Sequence, residues 1–292
     1  MVWLLAASLV WGLSFGLIKG LINDVDPFFL GLVRTAAASL FFLPWFIPEA
    51  LYKKIDRSAA LQAAACGFVQ IGLMYGPYLL SFRYLKSHEV ALFTMITPVI
   101  MSAFLIFGFG KLNRNAILRL CCAAMLATIG GITVAWNGIV SQELLVGVAL
   151  VQLSNVLFAI GILMWTYFFG GKTQTIGHLM CPYFFGAFLA SVILTVFLGK
   201  FSFEYTPNQW LVFLWLGVVA SGLGFYLWNR GALQVSRPVL AVANNIKLPI
   251  AIFISISLFG ESANYPRLAY GVFMMLLAIR LVADLPQTKS PR

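Results

Sequence analysis

Apolar stretches of about twenty residues recur along this chain with only short polar breaks between them, a pattern that no soluble core accommodates. They cover residues 2–22, 27–48, 59–80, 87–108 and 115–136, and then 144–169, 176–199, 207–229, 238–259 and 266–284. A helix rises about 1.5 Å per residue and the hydrocarbon core is about 30 Å thick, so each stretch is long enough to cross it with some tilt. Only 10% of the 292 residues are charged and 61% are apolar, against roughly 25% charged in a soluble domain. That much apolar surface has to face lipid. The stretches are continuously apolar rather than alternating, which disfavours a lipid-facing β-barrel. The expected fold is all-α and integral to the membrane, with ten transmembrane helices.

The basic residues give this array a direction. With the amino terminus placed in the cytoplasm, 12 of the 19 Lys and Arg residues fall in cytoplasmic loops and helix ends, while the opposite side has Arg83, Lys86, Lys200 and Arg267. The excess fits the positive-inside rule with both termini cytoplasmic, in a bacterial inner membrane. The net charge of +10 is a topology signal; the charges are dispersed over separate short loops and form no nucleic-acid footprint. Trp3, Trp45, Trp136, Trp210 and Trp228 lie near expected helix ends, where indoles favour the water–lipid boundary. Gly12, Gly16 and Gly20, like Ala59, Ala63 and Gly67, repeat every four residues and read as packing seams. No basic segment precedes the first apolar run, which reads as a retained helix rather than a signal peptide.

Catalytic chemistry finds little support. Cys66, Cys121, Cys122 and Cys181 sit inside apolar runs without paired spacing, and His88 and His178 are isolated. There is no metal-ligand spacing, phosphate loop or nucleophile–base set, so neither cofactor, metal nor enzymatic activity is expected.

Residues 84–98 overlay residues 235–249 so that Pro98 meets Pro249, and a Phe-Gly pair follows each, at Phe109-Gly110 and Phe259-Gly260. The offset of about 150 residues is five helices. Five is odd, so the second copy enters from the opposite side, an inverted repeat of the kind that alternating-access carriers use. The repeats are 1–140 and 141–292. Trp11-Gly12, Phe15 and Lys19, then Pro27 and Arg34, resemble the opening of EamA-type transporters of the drug/metabolite transporter superfamily. Tyr84, Ala91 and Pro98 resemble that family's third-to-fourth helix segment. Gly217, Ser221, Tyr226 and Gly231-Ala232 resemble its eighth helix, and Pro249 with Leu258-Phe259-Gly260-Glu261 its ninth. The resemblance covers nearly the whole chain and implies two inverted five-helix repeats around a central cavity, with export or exchange of metabolites such as amino acids. Where the family often has Leu-Gly-Glu after its fourth helix, this chain has Gly110-Lys111, so no role of that acid carries over.

Depth along the expected helices places Gln70, Thr94, Thr97, Asn155, Asn244, Asn245 and Lys247 near the bilayer centre. A lysine facing lipid there costs about 2.5–3.5 kcal/mol on the insertion scale, so these groups should face one another or water. Asn244 and Lys247 share a helix face. Lys247 would neutralise an anionic substrate group; its alternatives are pairing with helix carbonyls or Glu89, or snorkelling. Trp11, Tyr75, Tyr78, Trp165 and Tyr226 would supply an aromatic lining, or merely pack. Pro98 and Pro249 would loosen their helices for a gate. Glu89 and His88 are the groups on which proton coupling would rest. Lys19 and Arg34 read as nearer the outer side, pairing with Asp24, Asp26 or Glu89 to stabilise helix ends.

The expected function is secondary transport of amino acids or related small carboxylates by alternating access, as a monomer or weak dimer, with a proton or counter-substrate as partner. Phosphorylated or nucleotide-like anions are the alternative cargo, and a membrane enzyme or scaffold subunit is the reading from another class.

Overall fold

The structure, a computed structural model, describes residues 2–22, 24–52, 56–97, 99–101, 103–104, 114–135, 141–170, 176–235, 240, 243, 247–260 and 262–283. Asn244, Asn245, Pro98 and Trp136 lie outside the described residues. The described elements are helical, with no strand among them. In chain order they are α1 (Val2–Leu21), α2 (Pro27–Leu51), α3 (Arg57–Ser81), α4 (Ser87–Phe93), α5 (Arg114–Ala135), α6 (Gln142–Phe169), α7 (Gly177–Leu198), α8 (Pro207–Ala232), α9 (Lys247–Ser257) and α10 (Tyr265–Ala283). Among the described residues six helices, α1, α2, α3, α6, α7 and α8, are long and apolar enough to cross a bilayer. Their ends lie within a few residues of the apolar runs.

Local chemistry sets several helix starts. Asp26 accepts from the backbone N–H groups of Phe28 and Phe29 while Pro27, which has no N–H to leave unpaired, takes the first position of α2. Asp56 caps α3 through Ser58 N, Ser141 caps α6 through Leu144 N, and Thr206 with Gln209 forms a capping box on α8.

Three helices depart from regular α geometry where polar residues cluster. α3 carries a π-turn at Phe68–Leu73 and α8 another at Trp215–Leu223, and such turns mark functional positions in many helices. α4 tightens into a 3-10 turn at Thr94–Ile96. Pro98 has no N–H to give Thr94 O, and the Thr97 backbone N–H and hydroxyl take that carbonyl instead, the hydroxyl at 2.7 Å. In consequence Phe93 O exchanges its i+4 donor for the i+3 donor of the 3-10 turn, and side chains of α6 also reach it.

α2 packs along α7, and α5 along α10; α1 lies against α8 and α9, and α3 against α6 and α7. The Gly12–Gly16–Gly20 seam brings α1 onto Ile250, Ile254 and Phe259, with no room for a Cβ at any of the three positions. A Cβ on Gly67 would strike the backbone carbonyl of Tyr183, and one on Gly186 that of Ala64, so α3 and α7 cross backbone to backbone. Leu40, Phe197, Phe253 and Leu258 are exposed, as lipid-facing residues should be. Trp228 corrects the expectation of an interfacial indole. It is fully buried, 5.2 Å from the Trp11 ring and 6.0 Å from Phe158, because α8 turns that face towards α1 and α6.

Candidate functional site

A cavity with about 60 Å³ of room for the centres of water-sized molecules opens between α1, α2, α3, α4, α6, α8 and α9. Sites for small molecules are mostly apolar with a few placed polar groups. The walls here are Trp11, Phe15, Tyr75, Tyr78, Phe158, Phe225 and Met74, with Ser14, Thr94, Thr97, Ser154, Asn155, Arg34 and Lys247 among them. No Asp or Glu belongs to the described lining.

The serine and threonine hydroxyl groups are already committed. Ser14 donates to Val10 O, Thr94 to Ala91 O and Ser154 to Val151 O, at 3.1, 2.6 and 2.8 Å. Their protons are spent on the helix, and their lone pairs remain as acceptors for a ligand's N–H groups. Asn155 donates to the Phe93 carbonyl at 3.1 Å and to Gln152 at 3.0 Å, which fixes its amide. Trp11 is held by its indole N–H, which donates to Ala220 O at 2.9 Å inside the π-turn of α8. The Lys247 ammonium stands 5.1 Å from the Trp11 ring centroid and 5.7 Å from that of Phe158, within cation–π range.

Arg34 was expected near the outer side, and the structure places it in the cavity wall, 3% exposed. Its Nε donates to Ser221 Oγ at 3.1 Å, and its Nη2 to the Tyr75 hydroxyl at 2.9 Å. Ser221 gives its proton to Leu216 O at 2.8 Å, so the Tyr75 hydroxyl, 2.8 Å away, donates to Ser221. The guanidinium lies over the Tyr75 ring at 4.3 Å. Two N–H groups are consumed, and Nη1 is buried without a hydrogen-bond partner. The clamp depends on both π-turns: Ser221 sits in one, and Tyr75 follows the other by two residues. A rigid guanidinium with unspent parallel donors is suited to a carboxylate.

Trp11, Tyr78, Thr94, Asn155 and Lys247 therefore converge on one cavity, joined by Arg34, Phe158 and Phe225. The remaining expected residues are elsewhere. Gln70 and Trp165 belong to a buried cluster around Asn229. Tyr226 accepts from Arg230 Nη1 at 2.7 Å on the far side of α8. Glu89 accepts from Lys86 N at 2.9 Å as the cap of α4, and His88 is its buried neighbour; neither lines the cavity. Lys19 donates to Phe82 O at 2.5 Å. Pro249 is the third residue of α9, and its side chain is outside the description. An arginine inside an apolar run was the sequence signal for the clamp; its depth, about two turns into α2, masked it.

The model of the EamA-like transporter family matches residues 1–136. The biotin transporter of Escherichia coli is 32% identical over 281 residues, covering 94% of this chain and 90% of that protein. That of Salmonella typhimurium is 30% identical over 278 residues, covering 94% and 90%. A probable biotin transporter of Pseudomonas aeruginosa is 31% identical over 276 residues, 92% of each chain. A crystal structure of another protein superposes with a TM-score of 0.63 at 14% identity, covering 97% of this chain and 96% of that one, a likeness of fold alone.

Proposed function

The chain belongs to the EamA-like transporter family, and on that premise we propose that it carries biotin, or a small carboxylate closely similar to it, across a bacterial inner membrane by alternating access. The observation that carries this reading is the cavity's charge. Arg34 presents a buried, unpartnered Nη1 beside its clamped donors, Lys247 lines the same space, and no carboxylate belongs to the described lining. An amino acid would bring an ammonium group that needs an anionic or strongly accepting partner, and this lining favours a monoanion over a zwitterion. Biotin is a monocarboxylate whose apolar chain ends in a bicycle with a thioether and a cyclic urea. Its carboxylate matches Arg34 and Lys247, its body the aromatic walls, and its urea N–H groups the acceptor hydroxyls of Ser14, Thr94 and Ser154. The names of the relatives support the same cargo. A phosphorylated anion would also meet two cations, but it would leave the aromatic walls unused.

Several features support ten helices in two inverted repeats. Exchanging α1–α5 for α6–α10 carries the α2–α7 and α5–α10 pairs onto themselves and the α1–α8 packing onto α6–α3. The π-turns fall in α3 and α8, five helices apart. The excess of basic residues supports cytoplasmic termini. Lys247, Trp11, Tyr78, Thr94 and Asn155 are the proposed substrate contacts, with Arg34 added to them.

The test is counterflow. Liposomes containing the purified protein and loaded with unlabelled biotin should accumulate tritiated biotin, and those loaded with amino acids or nucleotides should not accumulate their labelled counterparts. Counterflow of an amino acid or a nucleotide without counterflow of biotin would overturn the assignment.

A further inference from the structure

Next to the cavity, behind an aromatic floor, lies a second polar cluster that the substrate contacts above do not use. Trp228 forms the floor, its ring against Trp11 and Phe158. One residue further along α8 is Asn229, and one turn before the cavity residue Met74 on α3 is Gln70. Gln70 donates to Asn229 Oδ1 at a long 3.4 Å, and Trp165 donates to the Asn229 backbone carbonyl at 3.3 Å. Tyr183 meets Trp165 edge to face at 5.4 Å, with its hydroxyl beside the Asn229 side chain but outside hydrogen-bond geometry. Gln70, Asn229, Trp165, Tyr183 and Trp228 are each 0% exposed.

Three polar atoms of this cluster have no hydrogen-bond partner, Gln70 Oε1, Asn229 Nδ2 and the Tyr183 hydroxyl, and in the floor beside it Trp228 Nε1 has none. Native interiors rarely leave such groups unpaired, and three together call for an explanation. Packing alone would be served better by leucines, since a partly satisfied polar network is worse than an apolar one. The set is one acceptor, Gln70 Oε1, with two groups able to donate, Asn229 Nδ2 and the Tyr183 hydroxyl. That is the complement of an amide or a urea, whose carbonyl accepts and whose N–H donates, and not of a carboxylate. Gln70 also lies within the π-turn of α3, where the backbone already departs from the regular ladder.

We propose that this cluster is a second substrate station, reached when the Trp228 floor parts, which hydrogen-bonds the amide or urea group of the cargo during its passage. The station rests on the reading of the chain as a carrier of biotin or a similar molecule.

Gln70→Leu and Asn229→Leu remove the station's amides, and Tyr183→Phe removes one hydroxyl with its ring intact. In proteoliposomes the two leucine variants should lower the maximal biotin flux about tenfold and Tyr183→Phe about threefold, while equilibrium binding of tritiated biotin to the purified protein stays within twofold of wild type. Lipoate keeps a carboxylate and an apolar ring but has no urea. Wild type should carry it no faster than the leucine variants carry biotin, and those variants should leave its flux unchanged. Biotin flux within twofold of wild type in all three variants, biotin binding lost in step with flux, or an equal proportional loss for biotin and lipoate would each overturn the station. The last result would make the cluster a hinge. If wild type carries no biotin, the functional reading fails and the station with it; if wild type and variants carry it equally, the station fails alone.

Discussion

Replacing Arg34 by lysine tests the carboxylate clamp while keeping its charge. Arg34 spends Nε on Ser221 and one Nη2 hydrogen on Tyr75, and its remaining parallel donors include the unpartnered Nη1. A lysine ammonium has three donors around one atom. It cannot reach Ser221, Tyr75 and both oxygens of a carboxylate together, and it loses the planar stacking on the Tyr75 ring at 4.3 Å. The bound carboxylate should lose one of two parallel charged hydrogen bonds, each contributing about 1.5–3 kcal/mol. At about 1.4 kcal/mol per tenfold, biotin affinity should fall roughly 10- to 150-fold. The assay is equilibrium binding of tritiated biotin to purified protein, run beside biotin methyl ester. The ester has no charge for the clamp to read, so the substitution should change its binding by less than twofold. Wild-type biotin affinity in Arg34→Lys, or an equal loss for acid and ester, would refute the clamp.

Lys247→Met keeps the length and apolar stem of the side chain but removes the charge, and should lower biotin flux into everted vesicles at least tenfold with normal insertion and purification; unchanged flux would remove Lys247 from the substrate contacts. Glu89→Gln retains an acceptor for Lys86 N, so pH-driven transport should stay within twofold, whereas Glu89→Leu should lower the Tm of the purified protein through loss of a cap contributing about 1 kcal/mol. Loss of the pH response in Glu89→Gln with intact stability would instead make Glu89 the proton carrier. Gly186→Val would press a side chain onto the Ala64 carbonyl and force α3 from α7, at about 1–3 kcal/mol or more. Its thermal aggregation in detergent should begin well below that of wild type.

What the sequence determined about this chain is what varies along one coordinate. Apolar length and helix rise marked six spans that the structure describes as helices of bilayer length, and depth along the ten expected runs grouped Lys247, Thr94 and Asn155, which line one cavity. The small-residue spacing of Gly12, Gly16 and Gly20 announced a seam, because a missing side chain matters wherever a neighbour comes close. Lateral position is a different quantity. Gln70 has a depth like that of Lys247, yet it turns to Asn229 and away from the cavity, since a helix presents a new face every residue and only its neighbours decide which face is inside. Trp228 sits near a helix end, as an interfacial tryptophan would, but packing against α1 and α6 buries it. Arg34 shows the limit most clearly. Its place on α2 was legible, but its long side chain could reach several partners. The choice of Ser221 and Tyr75 was made by two π-turns, from helices far away in sequence, that bring those hydroxyls to it.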